Sequence, residues 1–202
     1  MPVDAMEEPS DSDLLLAFGR GDVAAFTALA ARHQAPLLAH ARSLVGRRGG
    51  AEDAVQEALL RLAKSPPRIP VGGGEAAGSA LSGWLHQVLR RVCLDTQRGE
   101  ARRRRRERET APIEAIQGGQ ENVETNDTRA AVERGLERLS ADQREVIALR
   151  LFGEKSYSEI AAITGKKKGT VGWLISAGLT RLADELNHLM PGQEAGARGT
   201  LR

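Results

Sequence analysis

The 202-residue chain is 41% apolar, 28% charged and only 3% aromatic, with a formal net charge of +2. The shortage of Tyr, Phe and Trp excludes a β-sandwich or barrel, whereas the abundance of Ala, Leu, Arg and Glu points to a soluble, all-α protein of one medium or two small domains. One cysteine, Cys93, excludes an internal disulfide and a cysteine-rich zinc site, and no apolar run nears the ~18 residues of a membrane span.

The acidic start, MPVDAMEEPSDSD, is unlike the basic head of a secretory signal and predicts a cytoplasmic protein. A first helix is expected from Asp11 or Ser12, either of which caps Leu14, Leu15 and Leu16, with Gly19 and Gly21 as breakers. A second carries Val23, Phe26, Leu29 and Ala30, then Leu37, Leu38, Ala41, Leu44 and Val45, with Pro36 either a kink or a boundary. GRRGG at 46–50 reads as a turn. A third helix, from Ala51, puts Glu52 and Asp53 where the dipole favours acids and buries Val55, Leu59 and Leu62. Residues 65–80, with three prolines and four glycines, are expected as an irregular loop. Ser82 then caps a long helix with Trp84, Leu85, Val88, Leu89, Val92 and Cys93 on one side and Arg90, Arg91, Asp95 and Arg98 on the other.

Charge is distributed in blocks. Residues 1–13 hold five acids and no base, 90–108 carry nine arginines for a net of +6, and 109–127 carry five acids and no base. The arginine block is either a phosphate-binding footprint or a solvated helix end. The acidic block, poor in apolar groups, reads as a linker. Helix restarts at Asp127 or Thr128 with Val132, Leu136 and Leu139 inward. Ser140 caps SADQREVIALRLF, which offers Val146, Ile147, Leu149, Leu151 and Phe152 to a core.

The sharpest local pattern follows. Ser156 and Glu159 form a capping box ahead of a short helix whose Ile160, Ala161 and Ile163 face inward. Gly165 supplies a tight turn, and a longer amphipathic helix begins near Lys168 or Gly169 with Val171, Leu174, Ile175, Leu182 and Leu186 as its stripe. Short helix, glycine turn and long helix make a helix-turn-helix, and Lys166, Lys167 and Lys168 sit where helix N–H groups attract phosphate. An ordinary helical hairpin with a lysine-rich turn is the plainer alternative.

At these residues the chain resembles a known family. LSADQREVIALRLFGEKSYSEIAAITGKKKGTV is similar to the fourth conserved region of bacterial RNA polymerase sigma factors of the extracytoplasmic-function (ECF) group. AEDAVQEALLRL at 51–62 and GWLHQVLRRVCLDTQR at 83–98 resemble the polymerase-binding and promoter-melting helices of region two. The resemblance covers about 170 residues in order, against the family's two-module frame. It implies two small helical domains, 10–108 for polymerase binding, minus-ten recognition and melting, and 128–190 for minus-thirty-five recognition. A flexible acidic linker over 109–127 joins them and a disordered tail over 191–202 follows. Promoter-specific initiation with core RNA polymerase is the implied function. The β′ clamp, the β flap, promoter DNA and an anti-sigma factor are the implied partners, with no cofactor, metal or membrane insertion.

Carried across residue by residue, Asp53, Gln56, Glu57 and Arg61 would meet the β′ clamp. Asp53, Gln56 and Glu57, with Leu60 beside them, share a helix flank opposite the Val55, Leu59 and Leu62 stripe. Loop 65–82 falls where the family captures a flipped minus-ten base. Trp84 matches a family tryptophan, read as core or as a strand-separating contact. Arg90, Arg91 and Arg98 would approach phosphates near the melted segment, and Asp95 reads as an ion-pair partner. In the second module Lys166, Lys167, Lys168, Thr170 and Arg181 would anchor phosphates. Trp173 would touch either a thymine methyl or a partner protein. The linker would be either a merely soluble tether or a segment threading the polymerase's RNA channel.

This chain also departs from the family. Arg91 replaces a usual asparagine, and Leu59 and Ala63 replace positions that are commonly aromatic. Gly172, Trp173 and Leu174 stand where a basic, polar stretch is usual, and Ala177 and Leu179 replace common arginines. With Gly172, Trp173 and Ser176 expected towards the groove, direct reading of base edges is expected to be weak.

Enzyme chemistry has little to stand on. His33, His40, His86 and His188 match no metal-ligand spacing; His33 and His40, seven apart, could share a face but read as inert helix-surface residues. Gly72 to Gly74 lack the Lys-Ser/Thr of a phosphate loop, and Cys93 reads as buried packing. Two rivals need other features: a dimeric helix-turn-helix repressor leaves helix 51–64 without a task, and a nuclease needs clustered carboxylates on a metal.

Overall fold

Ser10, rather than Asp11 or Ser12, starts the first helix. In the computed structural model, which describes residues 8–46, 49–69, 74–110, 135–136 and 138–189, the Asp13 N–H donates to Ser10 Oγ at 3.3 Å and the Ser10 N–H donates to Asp13 Oδ2 at 3.2 Å. This reciprocal box opens α1, Asp11–Gly19. It also frees Asp11 to turn inward, where it receives Arg32 at 2.6 Å and lies 2.8 Å from His33.

Asp22 caps α2, Val23–Val45, by accepting from the N–H groups of Ala24 and Ala25. The helix runs through Pro36 without a break. Leu29, Leu37 and Ala41 are buried on either side of the proline, and that packing holds the turn whose hydrogen bond the ring removes. The glycine turn behaves as expected: Gly46, Gly49 and Gly50 all take positive φ, and Gly50, at +81°, leads into α3, Ala51–Lys64.

The fourth helix corrects the expected loop. α4 spans Gly74–Thr110 and leaves Ser82 inside it rather than at its cap. Prolines end at Pro70, and the GEAAGSA stretch that follows is rich in good helix formers, so averaging composition over 65–80 hid a helix start. Three turns of α4 supply Leu81, Leu85, Leu89, Val92 and Cys93 to a core shared with Leu14, Leu29, Leu37, Val55, Ala58 and Leu62, and Trp84 packs half-buried on its edge.

A second core, separate from the first, gathers α5, Ala141–Leu151, α6, Tyr157–Thr164, and α7, Lys168–Leu189. Leu139, Val146, Ile147, Leu149, Ile160, Ile163, Val171, Leu174 and Ile175 fill it. Leu151 and Phe152 do not join it and are more than half exposed. They lie about 200° and 300° round from Leu149, and α5 ends there. Among the described residues all regular structure is helical, and no helix is long and apolar enough to cross a membrane. The linker beyond Thr110, the restart at 127–134, the Leu186 side chain and the tail over 191–202 lie outside the described residues.

Candidate nucleic-acid and partner interfaces

The α3 flank is a product of phase. Ala51, Ala54, Val55, Ala58 and Leu62 turn into the first core, so Asp53, Gln56, Leu60 and Arg61 face outward and Glu57 sits half-buried beside them. Within this flank Arg61 Nε donates to Glu57 Oε1 at 2.9 Å, an exposed pair one turn apart of small energetic weight. Glu52 instead receives Arg42 at 2.9 Å, and that hydrogen bond holds its carboxyl below the usual range. A 430 Å³ hollow behind Asp53 and Glu57 reaches down to Cys93. Burial pushes the Cys93 thiol up to about 11, so it stays protonated near neutral pH and serves as packing.

On α4 the three predicted arginines differ. Arg91 and Arg98 are exposed, and Arg98 leans on Asp95 at 3.2 Å, giving Asp95 the ion-pair role expected of it. Arg90 points across to the second core, where its Nε donates to Glu145 Oε1 at 2.6 Å. Farther along, Arg103 pairs with Glu107 and Arg104 with Glu100, all solvent-exposed. Such pairs exchange readily for phosphate.

The helix-turn-helix forms as its local signals dictate. Ser156 accepts from the Glu159 N–H and Glu159 accepts from the Ser156 N–H at 2.8 Å, while Gly165 closes α6 in the left-handed conformation at φ +73°. Glu159 also receives Ser79 Oγ. Against the cost of burial, the bonds from Ser79 and Ser156 and the charge of Lys155 bring its carboxyl down to about 2. Lys167, Lys168 and Thr170 are exposed at the start of α7, and Trp173 and Arg181 follow on its outer side, with Trp173 67% exposed. Lys166 is held 2.8 Å from Asp142 of α5, which ties the turn to its own core.

One of the recognition-helix departures now has a physical cause: Leu174 is a core residue, 6% exposed. Gly172 is half-buried beside Tyr157, where a Cβ would make an ordinary contact 3.4 Å from Cε2.

The histidines overturn the surface reading. His33, His40 and His86 are all buried. His40 Nδ1 lies 3.0 Å from His86 Nδ1, and His40 Nε2 lies 3.5 Å from Glu145 Oε1. Forty-six residues separate the two rings in sequence, and no short-range pattern announces the contact.

Comparison with known proteins matches residues 29–107 to the family model Sigma-70 region 2 and residues 129–182 to Sigma-70, region 4. The ECF RNA polymerase sigma factor SigM of Mycobacterium tuberculosis strain H37Rv is 33% identical over 186 residues, covering 92% of this chain and 89% of that one. This chain belongs to the ECF sigma factors. EcfG of Rhodopseudomonas palustris is 34% identical over 154 residues, or 73% of this sigma factor and 77% of EcfG. The sigma factor RpoE of Bartonella quintana, solved in complex with the anti-sigma factor NepR, superposes with a TM-score of 0.57 at 27% identity, covering 84% of this chain and 96% of that one. CnrH, solved with the cytosolic domain of CnrY, shares the fold at a TM-score of 0.56 and 22% identity, over 89% of this chain and 99% of that one. As a sigma factor the protein binds core RNA polymerase and promoter DNA and directs promoter-specific initiation; it is not an enzyme.

Proposed function

We propose that the sigma factor divides its work between a polymerase-binding and melting unit over 10–108 and a promoter-anchoring unit over 128–190, acting in the cytoplasm. The outer flank of α3 carries this reading: Asp53, Gln56 and Leu60 stand in solvent, opposite a fully buried stripe. An acidic, partly apolar helix face of this kind suits the β′ clamp. Arg91, Arg98 and the 102–106 tract would follow the melted strand, with Trp84 at their base and Arg90 joining them once released from Glu145. Lys167, Lys168, Thr170 and Arg181 would hold phosphates of the upstream duplex, with the exposed Trp173 offered to the groove. The second unit also meets the β flap in this reading. An anti-sigma factor, of the kind that the solved RpoE complex contains, would cover these same surfaces.

Replacing Asp53 and Gln56 with alanine should weaken association with core polymerase about tenfold or more without lowering the melting temperature, since both side chains are exposed. Co-migration on a sizing column reads the first effect and circular dichroism the second; unchanged association removes α3 from the interface. Replacing Lys167 and Lys168 with alanine should lower the slope of log affinity against log salt by about 1 to 2, uniformly across promoter sequences. A slope equal to wild type would leave the lysine turn without a phosphate.

A further inference from the structure

The rotation of α7 about its own axis is set by its inner side. Val171, Leu174 and Ile175 are buried in the second core. Gly178 lets the helix settle onto α5, since a Cβ there would stand 2.6 Å from Ile147 Cδ1 and 3.3 Å from Gln143 Cβ. With the inner side pinned, the outer side is pinned too. At about 100° per residue, Gly169, Thr170, Ser176, Ala177 and Thr180 fall within about 60° of Trp173. All five are small, so the indole, 67% exposed, projects beyond its neighbours.

The charge around this face favours an anionic partner. Lys167 and Lys168 are exposed at the start of α7, where the helix N–H groups add to their field, and Arg181 is exposed about two turns beyond Trp173. No acidic residue stands between Lys166 and Asp184. The major groove of duplex DNA, about 12 Å wide, admits a single helix, and small side chains on the leading face let that helix approach closely.

The chemistry of the face then narrows what can be read there. Thr180 Oγ1 already donates to the Ser176 carbonyl at 3.0 Å, whereas the indole N–H has no partner among the described residues. An indole offers an apolar ring with one donor and no acceptor. In the major groove thymine alone shows a methyl group beside an acceptor, O4. Cytosine and adenine turn an amino donor towards a ring that cannot accept it, and guanine shows two acceptors and no methyl. Each of those three leaves a polar edge unmatched, which costs affinity.

We propose that Trp173 is a specificity-determining residue of this sigma factor and reads a thymine of the upstream duplex through its C5-methyl group. The proposal rests on the function inferred above for the second unit, and it assigns to an apolar contact the selectivity for which this face carries few donors.

The test uses the full chain assembled with core polymerase. Duplexes bound by the holoenzyme are selected from a library randomised over the upstream element, and they should share a T·A pair at one position. Deoxyuridine then replaces each shared thymine in turn, which removes the methyl group and leaves O4 in place. At the position read by Trp173, wild-type affinity should fall about three- to tenfold. Trp173→Ala should bind the thymine duplex more weakly by a similar factor and no longer distinguish the two bases. Trp173→Phe, which keeps an aromatic ring, should keep part of the preference. Circular dichroism should show both variants as folded as wild type, because the position is exposed. A selection with no shared thymine, equal wild-type affinity for thymine and deoxyuridine at every shared position, or a Trp173→Ala holoenzyme with the wild-type preference would overturn the proposal. If Trp173→Ala weakens association with core polymerase in the absence of DNA, the indole is a protein contact and the thymine reading is overturned. A holoenzyme that ignores the methyl group yet keeps the salt dependence carried by Lys167 and Lys168 leaves the proposed function standing; one that shows neither overturns both.

Discussion

Leu174→Arg is expected to unfold the second helical unit while leaving the first intact. Leu174 is 6% exposed among Val146, Ile160, Val171 and Ile175, so the substitution forfeits the ~2–5 kcal/mol typical of a truncated core leucine. It also forces a guanidinium out of water with no carboxylate among the described residues of that core to meet it, which costs several kcal/mol more. A unit of about 50 residues holds only about 3–8 kcal/mol in reserve. Amide exchange should therefore lose protection across 138–189 and keep it across the first core. Trp173→Arg, one residue earlier at an exposed position, should change stability by about 0.5 kcal/mol or less. Native protection in Leu174→Arg would show that the side chain lies outside the core. The family's usual basic character at this position is thus incompatible with the packing of α7 in this chain, and the helix presents Trp173 instead.

The second large effect is a loss of stability in mild acid. Burial, reinforced by the nearby charges of His40, Lys155 and His33, pushes the His86 imidazole down from an ordinary 6.5 to about 2. Arg90 and Glu145 complete the charged groups packed around the pair. The folded state therefore keeps His86 neutral throughout this interval, whereas the unfolded chain takes up a proton as pH falls through 6.5. The unfolded state then binds more protons, so stability falls with pH by up to about 1.4 kcal/mol per unit below 6.5. Asp11, Glu145 and Glu159 act in a lower window. For each, burial raises the carboxyl but hydrogen bonds and cationic neighbours outweigh it, so its pKa ends below the ordinary value. Their stabilisation is present above about pH 4.5 and fades as pH falls through the folded values. Between pH 6.5 and 4.5 the His86 contribution stands apart. Urea melts across that range should show the slope in wild type, and His86→Gln should remove one proton's worth of it. A variant with the wild-type slope would assign the titration to another group.

How much of the molecule could be read beforehand depended on the range of the interaction. The capping box at Ser156 and Glu159, the left-handed Gly165 and the lysine turn lie within a dozen residues, and each is a local hydrogen-bonding or backbone requirement that chain neighbours meet by themselves. The α3 stripe was equally legible, because a helix of 14 residues with one strongly apolar face has a single way to bury it. Reading failed where local signals competed. Ser10, Asp11 and Ser12 all make acceptable caps, and which one serves depends on Asp11 finding Arg32 and His33 more than twenty residues away. In GEAAGSA the glycines masked a helix that packing on the first core extends.

The amino-acid order by itself determined an all-helical chain, the apolar faces of its helices, the helix-turn-helix and the blocks of charge, because capping, periodicity and turn chemistry act over one or two turns. Only the tertiary structure decided that Gly172 packs against the Tyr157 ring. It also decided that His40, His86, Arg90 and Glu145 meet in one buried seam. Those contacts join residues up to about a hundred positions apart, and no local rule relates their side chains until the two cores have formed and brought α2, α4 and α5 together.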